Sequence, residues 1–344
     1  MEKKKIGIIG YGVVGKRRRK FIDEHPLLET VAISDVNLDP EKDQIVGVKI
    51  FKNHEDLLNE KLDAVFVSVP NYIAPEITIK ALKKGIHVFC EKPPGRSVED
   101  VLAVMDTEKV VPGIVLKYGF NHRYHDSIQD ALKIIKSGEL GKIINMQGVY
   151  GKGKIVNPEK SVWRSKREFA GGGILLDQGI HMVDLLRLFC GEFHEVHSFI
   201  SDDFWEHDVE ENAFAIMKDD NGVVASIHSS GTLWEHTFSL NIYLTKGYLK
   251  LSGILSGTRS YGEETLTIGK KTDSDQGSLE ARIIKYLEDT SWQREINEFA
   301  EALIGKNSIK LGTSTDALNT MKLVYRIYYA DSKWRNKYNI PNPD

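Results

Sequence analysis

Two cysteines in 344 residues, Cys90 and Cys190, are too few for a disulfide framework. Both lie in apolar neighbourhoods and read as inert buried thiols, in keeping with a cytoplasmic protein. An excess of charge of one sign is also missing: 46 Lys and Arg face 49 Asp and Glu, a net charge of −3. A nucleic-acid or membrane-surface binder needs a dominant basic field, so neither partner is expected. No run approaches the ~18 uninterrupted apolar residues of a membrane span. The start, Met1-Glu2-Lys3-Lys4-Lys5, leads straight into Ile6-Gly7-Ile8-Ile9 and leaves no room for a signal-peptide core. What is present is ordinary for a globular chain, 41% hydrophobic and 28% charged, and long enough for two domains with separate cores.

Over the first ~120 residues, strand-like and helix-like segments alternate. Short apolar runs occur at Ile6–Ile9, Val31–Ser34, Ala64–Val69, Ile86–Cys90 and Ile114–Tyr118. Helical patterns lie between several of them, clearest at Ile73–Lys84, stopped by Gly85, and at Val98–Lys109. Strands apolar along their whole length and separated by helices predict a doubly wound parallel sheet over residues 1–122. Residues 123–344 read as an α+β domain with a large open, mostly antiparallel sheet. There, a helix over 127–137 and a strand over 142–150 precede a polar, basic loop, 151–170. A helix then runs from Gly171-Gly172-Gly173 to about Cys190, followed by four or five strands and two closing helices near 291–304 and 313–335. Alternation is plain where Phe238, Leu240, Ile242 and Leu244 interleave with Ser239, Asn241 and Tyr243.

Gly10-Tyr11-Gly12-Val13-Val14-Gly15 is a GxGxxG turn, a weak signal alone. Its context strengthens it, because it follows a strand, opens a helix, and Asp35 ends the next strand twenty residues after Gly15. Gly10 permits the tight turn, Gly12 lets backbone approach a pyrophosphate, and Gly15 lets helix and strand pack closely. The N–H groups at the helix start and the positive dipole end there suit phosphate. Asp35 accepts from an adenosine ribose hydroxyl and repels a 2′-phosphate, which favours NAD over NADP. In the basic run Lys16-Arg17-Arg18-Arg19-Lys20, the last three read as a solvated helix face, while Lys16 or Arg17 is placed to lean toward phosphate.

Glu91-Lys92-Pro93 follows the fourth of these apolar runs, at the edge where open α/β sheets hold ligands; the proline ends the ladder and suits a cis turn. In Gly171-Gly172-Gly173-Ile174-Leu175-Leu176-Asp177-Gln178-Gly179-Ile180-His181-Met182-Val183-Asp184, Asp177 and His181 are i,i+4 on one helix face. Such a pair is often structural, yet polar groups in so apolar a helix need partners or a cleft. Both readings stand on the residues alone.

Together, GYGVVG, Asp35, SVPN at 68–71, EKP at 91–93, GFNHR at 119–123 and the GGG…D-x-x-x-H segment resemble the glucose-fructose oxidoreductase / inositol dehydrogenase / MocA family. The matches run in order through both halves. The resemblance implies that Lys92 is the catalytic lysine, Asp177 the conserved acid and His181 the general acid/base. It implies cofactor contacts at Gly10, Gly12, Val13, Val14, Gly15, Asp35, Pro70, Asn71, Glu91, Lys92 and Asn121. Trp163 and Arg164 are similar to a Trp-Arg pair near nicotinamide and substrate. One departure is Asn71-Tyr72-Ile73-Ala74, where many members carry a histidine three residues after the Asn.

The expected chemistry is NAD(H)-dependent hydride transfer at a secondary alcohol carbon of a sugar or sugar nucleotide, with a cyclic polyol next. A histidine suits the proton step, and a lysine ammonium beside the oxygen lowers the barrier by about 3 kcal/mol. A metal on Asp177, His181 and Asp184 lacks a second His or Cys cluster, so no metal is expected. A non-catalytic dinucleotide sensor has no need to keep Lys92, Asp177 and His181 together. The basic loop 152–167 (Lys152, Lys154, Lys160, Arg164, Lys166, Arg167) borders the expected cleft and suits either an anionic substrate or solvent. By the same resemblance the open sheet pairs subunits into a homodimer or homotetramer, with Phe214, Trp234 and Tyr243 as candidate contacts.

Overall fold

The computed structural model describes residues 2–153, 162–271 and 279–344. It divides into two compact units, Met1–Asn121 with Trp292–Leu318, and His122–Ser291 with Asn319–Asp344. A single cut in the chain does not anticipate the return of 292–318 to the first unit.

The first unit is a six-stranded parallel sheet built from β1 (Lys4–Ile9), β2 (Leu28–Ser34), β3 (Lys49–Phe51), β4 (Ala64–Val67), β5 (His87–Glu91) and β6 (Leu116–Gly119), in the order β3-β2-β1-β4-β5-β6. The chain leaves β1 in one direction through β2 and β3, then crosses to β4 and moves the other way. Right-handed crossovers then put the connecting helices on opposite faces and open a crevice at the switch between β1 and β4. Burial on both faces explains why β4 is apolar at all four positions, and Val65, Phe66 and Val67 each add roughly 1.5–3 kcal/mol. On one face, Ile22 of helix Val13–Glu24 and Ile296, Phe299, Ala300 and Leu303 of helix Ser291–Leu303 join Ile6, Ile8, Phe66 and Phe89 in one core. Phe66 and Phe89 stack at 4.7 Å, and Phe299 meets both edge-on. The doubly wound fold is as the sequence predicts. β3 was not expected: three part-exposed residues at a sheet edge carry no readable period.

The second unit holds β7 (Ile143–Gly151), β8 (Glu195–Ser201), β9 (Asn212–Lys218), β10 (Val224–Ser230), β11 (Thr237–Leu244), β12 (Gly247–Ser252), β13 (Glu264–Lys271) and β14 (Leu279–Tyr286). They form one sheet ordered β14-β13-β12-β11-β7-β10-β9-β8, antiparallel except for the β7–β10 pair. The open, mostly antiparallel sheet was expected, but among the described residues seven strands follow Cys190 rather than four or five. Edge strands such as Glu195–Ser201 bury few apolar side chains, so their period is faint. Helices Asp126–Ser137 and Ile180–Cys190 pack on the face that carries buried Phe238, Leu240 and Ile242. Phe214 and Tyr243 lie on the other face, as expected. Trp234 does not: it sits in the turn between β10 and β11 with φ 63°. Among the described residues, no helix is long and apolar enough to cross a membrane.

Candidate active site

In the first unit, the expected contacts lie at or past the carboxyl ends of strands: Gly10 and Gly12 after β1, with Val13, Val14 and Gly15 opening the helix that follows, Asp35 after β2, Pro70 and Asn71 after β4, Glu91 and Lys92 at the end of β5, and Asn121 after β6. Because the sheet is parallel, one edge collects them all. Gly10 turns at φ +88°, and a Cβ on it would stand 2.4 Å from the Ser68 carbonyl oxygen. A Cβ on Gly15 would stand 2.0 Å from the Gly10 carbonyl oxygen. Gly12 is the opposite case, with nothing within 4 Å of an added Cβ. Two glycines are therefore demanded by the fold, and the third keeps a space open in front of the helix N-terminus. Val13, 78% exposed in the first turn of that helix, faces out beside it. Tyr11 N–H donates to Asp35 Oδ2 at 2.7 Å, and Asn37 donates to Oδ1 from backbone and side chain. The carboxylate at the end of β2 is thus tethered to the glycine turn after β1, an arrangement that fits a dinucleotide. The Lys92–Pro93 bond is cis.

The basic run after the turn needs correction. Arg18 is not solvated; it is fully buried, on the same stripe as Gly15 and Ile22. Its Nε donates to Glu91 Oε1 at 2.6 Å and its Nη1 lies 2.7 Å from Glu295 Oε2, while its plane covers Phe89 and Trp292. Nearby, buried Lys117 donates to Glu298 and to the Leu311 carbonyl, each at 2.6 Å. Burial pushes the Glu295 carboxyl up, opposed by Arg18 and Lys117; it pushes Lys117 down, opposed by Glu295 and Glu298. Two cations and three carboxylates thus brace β5, β6 and helix Ser291–Leu303, and Glu91 is held inward next to Lys92. Arg17 stacks over Trp292, and Lys16 is exposed. Cys90 is buried, its thiol pushed up to about 12 by burial; Cys190 is only half-buried, and burial with the nearby Asp219 likewise raises it to about 12.

In the second unit, the expected continuous α-helix is interrupted at its start. Leu175–Gly179 is a π-helical turn, and the α-helix runs only from Ile180 to Cys190. The i,i+4 argument for Asp177 and His181 therefore crosses a π–α junction, a feature frequent at functional sites. The junction is clamped by Glu210, whose fully buried carboxylate accepts from Gly173 N–H, Leu175 N–H and the Tyr328 hydroxyl at 2.6, 3.0 and 2.7 Å. Gly173 must be glycine, since a Cβ would stand 2.0 Å from the Glu210 carbonyl oxygen. Burial raises the Glu210 carboxyl, opposed by Tyr328, Arg167 and the Gly173 N–H.

Asp177 is flanked by two cations, Lys152 Nζ at 3.4 Å and Arg164 Nε at 3.7 Å. Arg164 also lies over the Trp163 ring at 4.3 Å. Of the basic loop, Arg167 instead stacks on Tyr338, Lys166 is exposed, and Lys154 and Lys160 lie outside the described residues. His181 is buried and stacks face to face on His122, 3.7 Å between centroids. His122 Nε2 is 3.0 Å from Tyr150 Oη, and Tyr261 Oη donates to Gln178 Oε1 at 3.2 Å. Burial holds the Tyr150 hydroxyl well above its ordinary range and pushes Tyr261 up to about 12, so both remain proton carriers at neutral pH. Sequence reasoning quoted His122 only as motif and passed over Tyr150 and Tyr261, which look there like any strand or loop aromatic. Asp184 is taken by Arg123, which donates to both its oxygens at 2.7 and 2.6 Å, with Thr320 donating to one of them. That buried ion pair answers for the polar residue without invoking a metal.

Comparison with known proteins bears on both units. The model described as an oxidoreductase family with an NAD-binding Rossmann fold matches residues 4–116, and that of the GFO/IDH/MocA C-terminal domain matches 128–250. The chain belongs to the Gfo/Idh/MocA oxidoreductase family. Among the family's characterised members, D-glucoside 3-dehydrogenase of Escherichia coli is 30% identical over 268 residues, 69% of this chain and 71% of that protein. Levoglucosan dehydrogenase of Pseudarthrobacter phenanthrenivorans is 29% identical over 58% of this chain. The 2,7-anhydro-N-acetylneuraminate hydratase of E. coli is 29% identical over 56% of it. The matches to these last two span about half of each relative, 55% and 51%. The fold agrees with that of a levoglucosan dehydrogenase in complex with NADH, at a TM-score of 0.83 and 21% identity over 97% of this chain and 98% of that one. The family is one of NAD(P)-dependent oxidoreductases, as its motifs implied.

Proposed function

We propose that this protein is an NAD(H)-dependent dehydrogenase moving hydride to or from a secondary alcohol carbon of a sugar. The reading rests on one observation above others: a parallel-sheet edge that carries the glycine turn and Lys92 occurs in the same chain as a π-turn bearing Asp177 that leads into a buried, apolar helix bearing His181. Bound NAD supplies the hydride acceptor or donor. His181 takes the hydroxyl proton in the oxidative direction and returns it in the reductive one. The Lys92 ammonium stabilises the developing alkoxide, and Asp177, held by Lys152 and Arg164, binds a neighbouring hydroxyl or orients His181. Pro70, Asn71, Glu91, Asn121, Trp163 and Arg164 complete the proposed cofactor contacts. Sugar dehydrogenases among the relatives support this substrate class, and a cyclic polyol is the second. A cytoplasmic setting agrees with two unpaired thiols.

The test is a thermal-shift and NADH-absorbance screen with NAD or NADP against sugars, sugar nucleotides and inositols. We expect a larger shift with NAD and turnover with a sugar. Asp35→Ser is expected to shift the NAD/NADP preference toward NADP by at least about tenfold, ~1.4 kcal/mol, because the 2′-phosphate no longer meets a carboxylate. A wild-type preference for NADP removes the Asp35 reading; cofactor binding without turnover on any substrate favours the sensor.

The same reading includes a homodimer or homotetramer through the open face of the second sheet. Phe199 and Phe214 are exposed and directly paired there, with Ile216 beside them. Sedimentation should give a mass of two or four chains, and Phe214→Glu with Ile216→Glu should lower it. A wild-type monomer at micromolar concentration sinks the idea.

A further inference from the structure

Phe204, Trp205 and Trp234 form an aromatic cluster at the surface of the second unit. Their rings meet edge to face, Phe204–Trp205 at 4.9 Å, Phe204–Trp234 at 5.7 Å and Trp205–Trp234 at 6.0 Å. Trp234 is 71% exposed and Phe204 55% exposed. Such area is costly to leave in water, and contiguous patches of it mark interaction sites.

The cluster is built rather than incidental. The buried Glu211 carboxylate accepts from the backbone N–H of Phe204 at 2.6 Å and of Trp205 at 2.7 Å. Gly231 N–H donates to the Glu211 carbonyl at 2.7 Å, and Trp205 Nε1 donates to the Gly231 carbonyl at 3.1 Å. Two loops are thereby locked together by one buried acid. Trp234 is held at φ 63°, a left-handed conformation that a bulky residue adopts only when its surroundings impose it. Folding stability alone gives no reason to present an indole outward on a strained backbone.

The position of the cluster supplies the reason. The loop from Gly231 to His236 starts where β7 and β10 end, and Leu233 N–H donates to the Lys152 carbonyl. The Lys152 ammonium reaches Asp177. Two residues past Trp234, the His236 ring meets Tyr261 at 4.9 Å, and Tyr261 donates to Gln178 beside Asp177. Trp205 and Trp163 also pack against the same small core of Ala170, Ile174 and Val209, and Trp163 carries Arg164 over its ring. The loop and the core that carry the aromatic cluster are therefore the ones that neighbour Asp177. Three exposed carboxylates, Asp203, Glu206 and Glu235, lie around the cluster, while the nearby cations Lys152 and Lys337 are engaged by Asp177 and Asp202.

We propose that Phe204, Trp205 and Trp234 form an accessory subsite that stacks the second pyranose ring of an uncharged disaccharide whose first ring is held at Asp177. The inference rests on the sugar-dehydrogenase reading of that site. Indole and phenyl faces receive the C–H face of a pyranose, while its hydroxyls stay hydrated at the rim. The acidic surroundings disfavour a phosphate or a nucleotide diphosphate at this position.

The experiment titrates the full chain, saturated with NADH, with matched pairs by calorimetry: glucose against cellobiose, maltose and sucrose, galactose against lactose and melibiose, and UDP-glucose as the charged arm. At least one disaccharide should bind about tenfold or more tightly than its monosaccharide. Trp234→Ala should abolish that gain and leave the monosaccharide within about twofold, whereas Trp234→Tyr should keep most of it. Phe204→Ala should reduce the gain in parallel. The proposal is overturned if no disaccharide gains, if Trp234→Ala weakens both members of a pair equally, or if the Trp234-dependent gain appears only for UDP-glucose. A fall in sedimentation mass on Trp234→Ala overturns it too, since the cluster then contacts a second copy. Failure of the wider reading looks different: disaccharides bind through Trp234, yet no sugar reduces NAD.

Discussion

Lys92→Ala and His181→Asn are each expected to lower kcat on the true sugar by about 10²–10⁴-fold, with NAD binding close to wild type for His181→Asn and weakened by at most about tenfold for Lys92→Ala, which also loses a cofactor contact. The two losses have different origins. Without Lys92, the oxygen that gains negative charge as hydride leaves carbon has lost a cation, so transition-state stabilisation falls by a few kcal/mol. Without His181, proton removal falls to water, and the limb of the pH–rate profile that a histidine contributes should flatten. His181 is buried against His122, so asparagine keeps most of the volume and tests chemistry rather than packing. Steady-state kinetics with NAD thermal shifts in parallel separate the cases. If either variant turns over at the wild-type rate, that residue is not catalytic. If both lose NAD binding as well, the defect is structural.

Arg18→Met is expected to destabilise the protein by about 3–5 kcal/mol, the cost of removing one partner from a buried ion pair. Methionine fills much of the space but leaves Glu295, fully buried, facing no guanidinium. It also frees Glu91, whose inward hydrogen bond fixes the residue before Lys92. Urea denaturation followed by far-UV circular dichroism should show the loss, and Arg18→Met with Glu295→Leu should recover much of it, because the uncompensated charge is then gone. A single-variant loss below about 1 kcal/mol would mean the network is solvated or adaptable rather than a brace.

Much of the first unit was legible because its strands are buried on both faces. Ala64–Val67 and the glycine turn therefore show themselves as uninterrupted apolar residues and as backbone that only glycine tolerates. Arg18 was misread for the complementary reason: a cation within a run of five basic residues has no local mark of burial, and its partners Glu91 and Glu295 lie 73 and 277 positions away. Helical spacing placed Asp177 and His181 on one helix, yet the π-turn under Asp177 is imposed by Glu210 across the fold, which no i,i+4 pattern encodes. Strand alternation likewise found β11 easily and missed strands whose outer and inner faces are both sparing in apolar residues. Trp234 looked like part of a sheet face because the short connection from Gly231 to His236 between β10 and β11 has little local mark in the sequence.

The return of helix Ser291–Leu303 to the first sheet has a consequence for the order in which the chain can settle during synthesis. By residue 121 all six strands of that sheet have been made, but Phe66 and Phe89 still lack Phe299, and Arg18 has no Glu295. Another 182 residues, from 122 to 303, must be made before the cover arrives, roughly ten to thirty-five seconds at about 5–20 residues per second. Throughout that interval the nascent nucleotide-binding half exposes an apolar face with a charged arginine set in its middle. Glu91 is already at hand for that arginine, and its second acidic partner, Glu295, arrives only with the covering helix.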